Sequence, residues 1–396
     1  MKKLIFSTLL ATASYAGWLT AEEETIDINS YSPQEQVVET SFPKEPVQQY
    51  QEVWPVETSF PKESAQQHRE LQIVDTSPIS IDILSRIKSD KNFKVALLVP
   101  KRVIGRYAKK VSNSILAYLI YRGSSFEYEV FDSVDESEIS IITALQKIRN
   151  KGYNFIIAPY TLKGANLISR YEDRAVVYIP TIHSKDVNFR SNNIIFGGID
   201  YKAQINKLLD YTNDKLSVFS GKSDLASRLT SYVSEHSYQK DVYIKPIDNA
   251  RVNLKYIIKN NHRLKNSSIF LNMPLVSSAL ITSSLSNFSI EPFGIFSTQI
   301  NYSPLLFSLM QKKDRKNFYL ANSIGYINSK LNDIDQNFGN KIKYDWISYS
   351  TSIGLDHVYA KYNSKDKLFN EELENNQIKY RTKIVKIDGD EFKRVD

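Results

Sequence analysis

The chain contains no cysteine. That excludes disulfides, zinc–thiolate sites, cysteine nucleophiles and lipid attachment through an N-terminal cysteine. Stability must come from packing alone, and with 42% of 396 residues hydrophobic the chain is long enough to build a sizeable core. Histidine is scarce: His68, His183, His236, His262 and His357 show no metal-ligand spacing, so no metal site is expected. The sequence has no G-x-S-x-G elbow, no G-x-G-x-x-G loop and no Walker loop. No catalytic residue and no cofactor are therefore assigned, and the expected protein is not an enzyme. The net charge is +7, yet no run of five or six basic residues marks a nucleic-acid arm, and no nucleic-acid partner is expected. No apolar run reaches the ~20 residues that a membrane-spanning helix needs.

What is present begins with a secretory pattern. Lys2 and Lys3 precede an apolar stretch from Leu4 to Ala13, and Ser14-Tyr15-Ala16 supplies small residues for cleavage, with a second option after Ala21. Residues 1–21 are read as a signal peptide and the expected location is the periplasm. Residues 22–80 are rich in Glu, Gln, Pro and Ser, and they contain a repeat. VETSFPKEPVQQYQE starts at Val38 and VETSFPKESAQQHRE starts at Val56. Two copies are too few for a solenoid, and Pro43, Pro46, Pro55 and Pro61 block helix and strand hydrogen bonding. The reading is a disordered tether, either a plain spacer or a docking peptide with Phe42, Trp54 and Phe60 as apolar anchors.

From Phe93 onward, short runs rich in Val, Ile and Phe alternate with segments of helical period. That alternation predicts an α/β fold with parallel sheets flanked by helices. Strands are expected near 93–99, 127–131, 155–158, 176–179 and 194–196, with helices between them. The pattern then restarts, with strands near 216–219, 242–245, 268–271 and 294–297. This argues for two similar lobes: lobe one over about 93–200 plus a C-terminal return, and lobe two over about 201–325. A short helix is expected at 81–91 and a long one at 346–362. Residues 377–395 read as a hairpin turning at Asp388-Gly389. Residues 298–343 are too weakly periodic to place.

Several segments carry a resemblance. These are VALLVP at Val95 to Pro100, GRYAKKVSNSILAYL from Gly105, EVFDS at Glu129 to Ser133, IIAPYT at Ile156 to Thr161, YIPTI at Tyr178 to Ile182, IFGGID at Ile195 to Asp200 and SIGLDHVYA at Ser352 to Ala360. In this order they resemble the type I periplasmic binding-protein fold, as in branched-chain amino-acid receptors. IFSTQINYSP, from Ile295, is similar to the related domain of activators of penicillin-binding peptidoglycan synthases. Ala158 stands where the receptors usually have Gly, and the lipoprotein activators' N-terminal cysteine is missing.

The resemblance implies a ligand held between the lobes, with hydroxyls and backbone N–H groups from lobe one on a carboxylate. The positions that match are Arg106, Tyr107, Tyr160, Thr161 and Thr181 in lobe one, and Ser220, Asp224 and Ser297 in lobe two. Asp224 is the one acid at a plausible position for a ligand ammonium, and it equally suits a helix N-terminus. Two functions follow. One is a non-enzymatic periplasmic protein that holds a small-molecule ligand for transport or sensing. The other is a cell-envelope interaction protein that regulates a partner, such as a peptidoglycan synthase, through its tether or surface.

Overall fold

The computed structural model describes residues 92–396 apart from 189–190, 239 and 248–252, and apart from the side chain of Arg106. The expected signal peptide, the tether at 22–80 and the helix at 81–91 lie outside the described residues.

Lobe one starts with strand β1 (Phe93–Val99), whose residues are buried except at Lys94. Burial of both faces is what a central parallel strand requires, and it explains the unbroken apolar run. A short helix α1 (Lys101–Ile104) and the long helix α2 (Arg106–Arg122) follow, broken at Gly105 and stopped by Gly123 in a left-handed conformation. Then come β2 (Phe126–Asp132), α3 (Glu138–Asn150), β3 (Phe155–Ile157), α4 (Leu162–Tyr171), β4 (Val176–Ile179) and β5 (Ile194–Phe196). The five strands are parallel in the order β2-β1-β3-β4-β5. Apolar clusters cover both faces of the sheet.

Lobe two repeats the plan. Helix α5 (Tyr201–Leu209) leads to β6 (Lys215–Ser220), α6 (Asp224–His236), β7 (Asp241–Pro246), α7 (Leu254–Ile258), β8 (Ser268–Asn272), α8 (Leu275–Asn287) and β9 (Gly294–Ser297). A 3₁₀ turn at Gln299–Asn301, helix α9 (Leu305–Leu309) and strand β10 (Phe318–Asn322) complete it. The order β7-β6-β8-β9-β10 matches lobe one strand for strand. The unplaced stretch 298–343 thus holds a fully paired strand. β10 is only five residues long, too short to declare a period.

The chain returns to lobe one through α10 (Ser329–Asn337) and α11 (Trp346–Asn363), which pack on α2. Strands β11 (Glu372–Glu374) and β12 (Gln377–Lys379) then extend the first sheet beside β5. Their turn, Asn375-Asn376, has positive φ at both residues, as a two-residue hairpin favours. The chain crosses once more, and β13 (Lys383–Asp388) and β14 (Glu391–Arg394) extend the second sheet beside β10. The expected C-terminal hairpin is present, with two corrections. It begins at Lys383, because 377–379 belongs to the other sheet. Asp388 pairs with Glu391, so the turn is Gly389-Asp390 and not Asp388-Gly389.

Three crossings join the lobes, at 197–200, 323–328 and 380–382. The first turn of α11 ties all three. Ser350 Oγ lies 2.9 Å from the Gly197 carbonyl, the Gly325 N–H donates to Tyr349 Oη at 2.8 Å, and Tyr380 Oη lies 3.4 Å from Ser350 Oγ while donating to the Gly197 carbonyl at 2.9 Å.

Candidate functional site

In sheets of this order the crevice forms where neighbouring strands send their connections to opposite faces. The chain has two such points, between β1 and β3 and between β6 and β8. The loops leaving their carboxyl ends carry most of the residues singled out from sequence.

In lobe one, Tyr160 is buried, and its hydroxyl meets Ser133 Oγ at 2.5 Å. Burial holds its pKa well above the usual phenol range. Thr181 donates its hydroxyl to the Tyr160 carbonyl. The Thr161 N–H donates to Glu136 Oε1 at 2.8 Å, the Gly164 N–H donates to Glu136 Oε2 at 3.2 Å, and the Thr161 hydroxyl also bonds to that carboxylate. Glu136 therefore sits on the amino end of α4, the place where free N–H groups and the helix dipole favour an anion. Burial raises its pKa, opposed by the donors from Thr161 and Gly164. Where the resemblance implied a ligand carboxylate beside Thr161, the chain has put one of its own.

In lobe two, Ser297 is fully buried. Its hydroxyl donates to the Leu271 carbonyl at 2.8 Å and accepts from Asn301 Nδ2 at 2.8 Å. Ser220 Oγ accepts from the Thr230 hydroxyl at 2.9 Å. Asp224 is exposed in the first turn of α6, where Ser223 is the residue that caps the helix, accepting from the Ala226 N–H. Around these, several buried polar atoms have no partner: Asn272 Oδ1, Thr298 Oγ1, Gln299 Nε2 and Asn301 Oδ1. All four belong to residues at the carboxyl ends of β8 and β9. The cavity beside them, lined by Ser223, Asn272, Met273, Pro274 and Ile300, is about 10 Å³, at the lower limit for one water. A larger cavity of about 270 Å³ opens at the amino ends of β3 and β4, at the wrong end of the strands for the crevice.

The lobes also meet across the crevice. Arg228 on α6 lies 3.2 Å from Asp186, in the loop after β4. Tyr201 opens α5; burial raises its pKa, with Arg228 lowering it and Tyr107 raising it as electrostatic neighbours. Tyr107 itself is half-buried at the start of α2, with the Lys110 ammonium 5.7 Å from its ring centroid. Arg106 begins the same helix, and its side chain lies outside the described residues. Below this contact, Lys185 Nζ sits 2.7 Å and His183 Nε2 3.9 Å from Asp200. Burial lowers the His183 pKa in spite of Asp200, and the Lys185 N–H donates to its Nδ1 at 3.1 Å. Burial would raise Asp200, but Lys185 and the Ala203 N–H outweigh it and hold the carboxyl below its usual value.

Most of the residues singled out from sequence thus lie on loops at the carboxyl ends of the strands; Glu136, Asp186, Arg228 and Asn272, which lie beside them, were not singled out. An acid-rich loop between Asp132 and Glu138 was the one visible sign of Glu136; the others had none. Among the described residues, no three His, Asp or Glu side chains are placed to hold a metal ion, and no helix is long and apolar enough to cross a membrane.

No protein-family model matches the sequence, and no curated protein matches it. Solved structures do match. A leucine-binding protein of Thermotoga maritima superposes with a TM-score of 0.56 at 11% identity, covering 76% of this chain and 97% of that one. A branched-chain amino-acid transporter substrate-binding protein of Streptococcus pneumoniae, solved with isoleucine, gives 0.56 at 9% identity over 77% and 99%. The C-domain of Haemophilus influenzae LpoA, described as a regulator of PBP1A, gives 0.51 at 11% identity over 76% and 100%. The described part of the chain has the type I periplasmic binding-protein fold.

Proposed function

We propose that this is a non-enzymatic periplasmic binding protein that closes its two lobes on a small polar solute. The observation that carries the reading is the group of buried, unpaired polar atoms on Asn272, Thr298, Gln299 and Asn301 at the carboxyl ends of β8 and β9. A buried polar atom without a partner costs about 1–3 kcal/mol, and a solute entering between the lobes would supply partners. The Arg228–Asp186 contact is the latch of the closed form. Tyr107 and Tyr201 flank it, and Tyr160, Thr161, Thr181, Ser220 and Ser297 shape the two rims from beneath. Glu136 already fills the anion position at α4, so the solute is bound mainly through neutral polar groups and not through a carboxylate at that helix. Thermal shift across a panel of amino acids, sugars and small amides tests this. A solute at a hundred times its Kd stabilises by about 2.7 kcal/mol. A melting temperature that no solute raises would sink the reading.

A second function has its own support. Five hydroxyls at the matched positions are bound within their own lobes, and the cavity beside Asn272 is about 10 Å³. Those features suit a protein that keeps the fold and acts through its surface or tether on an envelope partner such as a peptidoglycan synthase. Pull-down with and without residues 22–80 tests the tether's share; equal recovery from both removes it.

A further inference from the structure

One face of lobe two, made by helices that follow the carboxyl ends of β7, β8 and β9, carries a band of exposed apolar side chains with a basic border. Helices α7, α8 and α9 lie side by side on one face of the second sheet and share its apolar cluster. Helix α8 has no acidic and no basic residue, and its inward side, Leu275, Ala279 and Leu285, is buried. Its outward side is mixed: Val276 and Leu280 are 47% and 44% exposed, beside the partly exposed Ser277, Ser283 and Ser284. On α9, Leu305 and Leu309 stand one turn apart and are exposed by 51% and 41%. Tyr256 on α7 is exposed too.

Lysines stand at both ends of this band. Lys255 and Lys259 are exposed on and just after α7, and Lys313 and Lys316 are exposed in the loop after α9. That loop is held to the band, because Ser283 on α8 donates to Asp314 at 3.1 Å. Exposed apolar groups in a patch mark a protein or membrane contact, and the residue types decide between them. Protein interfaces favour Trp, Tyr and Arg as anchors and are depleted in Lys. Here the exposed apolar groups are Val276, Leu280, Leu305 and Leu309 with one Tyr, Tyr256, a residue that also suits the headgroup layer of a bilayer, and the cations are Lys. Aliphatic side chains that enter the acyl boundary, with lysines at the height of the headgroups, suit an anionic bilayer.

We propose that the α7–α8–α9 face of lobe two docks on an anionic lipid surface. The test uses the full chain and sedimentation with vesicles of mixed phosphatidylglycerol and phosphatidylcholine, or of phosphatidylcholine alone. The expected result is binding to the anionic vesicles, weakened by salt, and little binding to the neutral ones. The double substitutions Leu280→Asp with Leu305→Asp, and Lys313→Glu with Lys316→Glu, should each weaken it by about tenfold or more. Unchanged melting temperatures verify that the variants fold; if the leucine pair does not, the lysine pair decides. No binding to any vesicle overturns the proposal. So does equal binding by wild type and variants, which would move the contact elsewhere, for example to the apolar run at Leu4–Ala13. A self-association that the leucine pair abolishes while vesicle binding persists would make a second copy the occupant and overturn it as well.

Discussion

Arg228 of lobe two reaches over the crevice and stops 3.2 Å from the Asp186 carboxylate of lobe one. Both side chains keep contact with water, 37% and 25% exposed, so the pair contributes at most about 1 kcal/mol. That is enough to bias an equilibrium between open and closed lobes and too little to hold the fold. Arg228→Ala should raise the radius of gyration measured by small-angle scattering and leave the melting temperature within a degree or two. An unchanged radius would mean that the lobes are held by other contacts.

Glu136 makes a more unusual prediction possible. Glu136→Ala leaves the N–H groups of Thr161 and Gly164 without their acceptor. Loss of such a cap costs about 0.5–2 kcal/mol. It also vacates an anion site, so acetate or formate should restore part of the lost stability in the variant and none in wild type. Chemical denaturation with and without the added anion measures both effects.

Gly354 lies on α11 under the Tyr178 ring. A methyl placed there would fall well inside the contact distance of the ring atoms. The ring has no room to withdraw, because Tyr178 is fully buried and its hydroxyl donates to the Ser350 carbonyl at 2.7 Å. Gly354→Ala should destabilise by about 1–3 kcal/mol through overpacking. The same change in a Tyr178→Ala background should cost far less, and equal costs would refute the contact.

His357 gives the fold a pH dependence. Its Nε2 lies 2.8 Å from the Glu371 carbonyl, and burial depresses its pKa to about 4. The unfolded chain titrates this group near about 6.5. Between those values the unfolded state binds the proton and the folded state does not, so stability falls as pH drops through the window. The loss approaches about 3 kcal/mol near pH 4. Asp335 works in the other direction: burial raises its pKa to about 6, so the folded state binds its proton more readily over the lower part of the same range. Comparing wild type with His357→Gln isolates the histidine. Urea midpoints at several pH values should fall more steeply toward acid in wild type. Parallel curves would contradict the assignment.

The two lobes were legible because parallel strands buried on both faces must be apolar throughout, as Val95 to Val99 are, and because Gly123 and Gly152 stop helices with positive φ. The motif around Gly354 and Asp356 was legible as a likeness before its reason was visible. Gly354 makes room for Tyr178, and Asp356 accepts from Tyr118 at 2.7 Å, from Arg122 at 2.5 Å and from the Leu368 N–H at 2.8 Å. Both are packing requirements, and neither touches the crevice. The site was less legible because its chemistry is made by long-range pairs. Nothing near Glu136 in sequence states that its carboxylate turns to Thr161, 25 residues on. Nothing around Asn272 states that an oxygen there is left unpaired. The third crossing, which sends β13 to the other sheet from β12, rests on one short strand and a loop of three residues.

The central claim is that the lobes close on a solute. A chain without native cysteine permits a direct measurement, with spin labels at Lys163→Cys on α4 and Ser227→Cys on α6, both exposed near the crevice end of their helices. Pulsed electron resonance then reads the distance between the lobes. The expected result is a spread of distances in the free protein that collapses to the shorter end when a stabilising solute is added. One fixed distance, unmoved by every solute in the panel, would contradict the account.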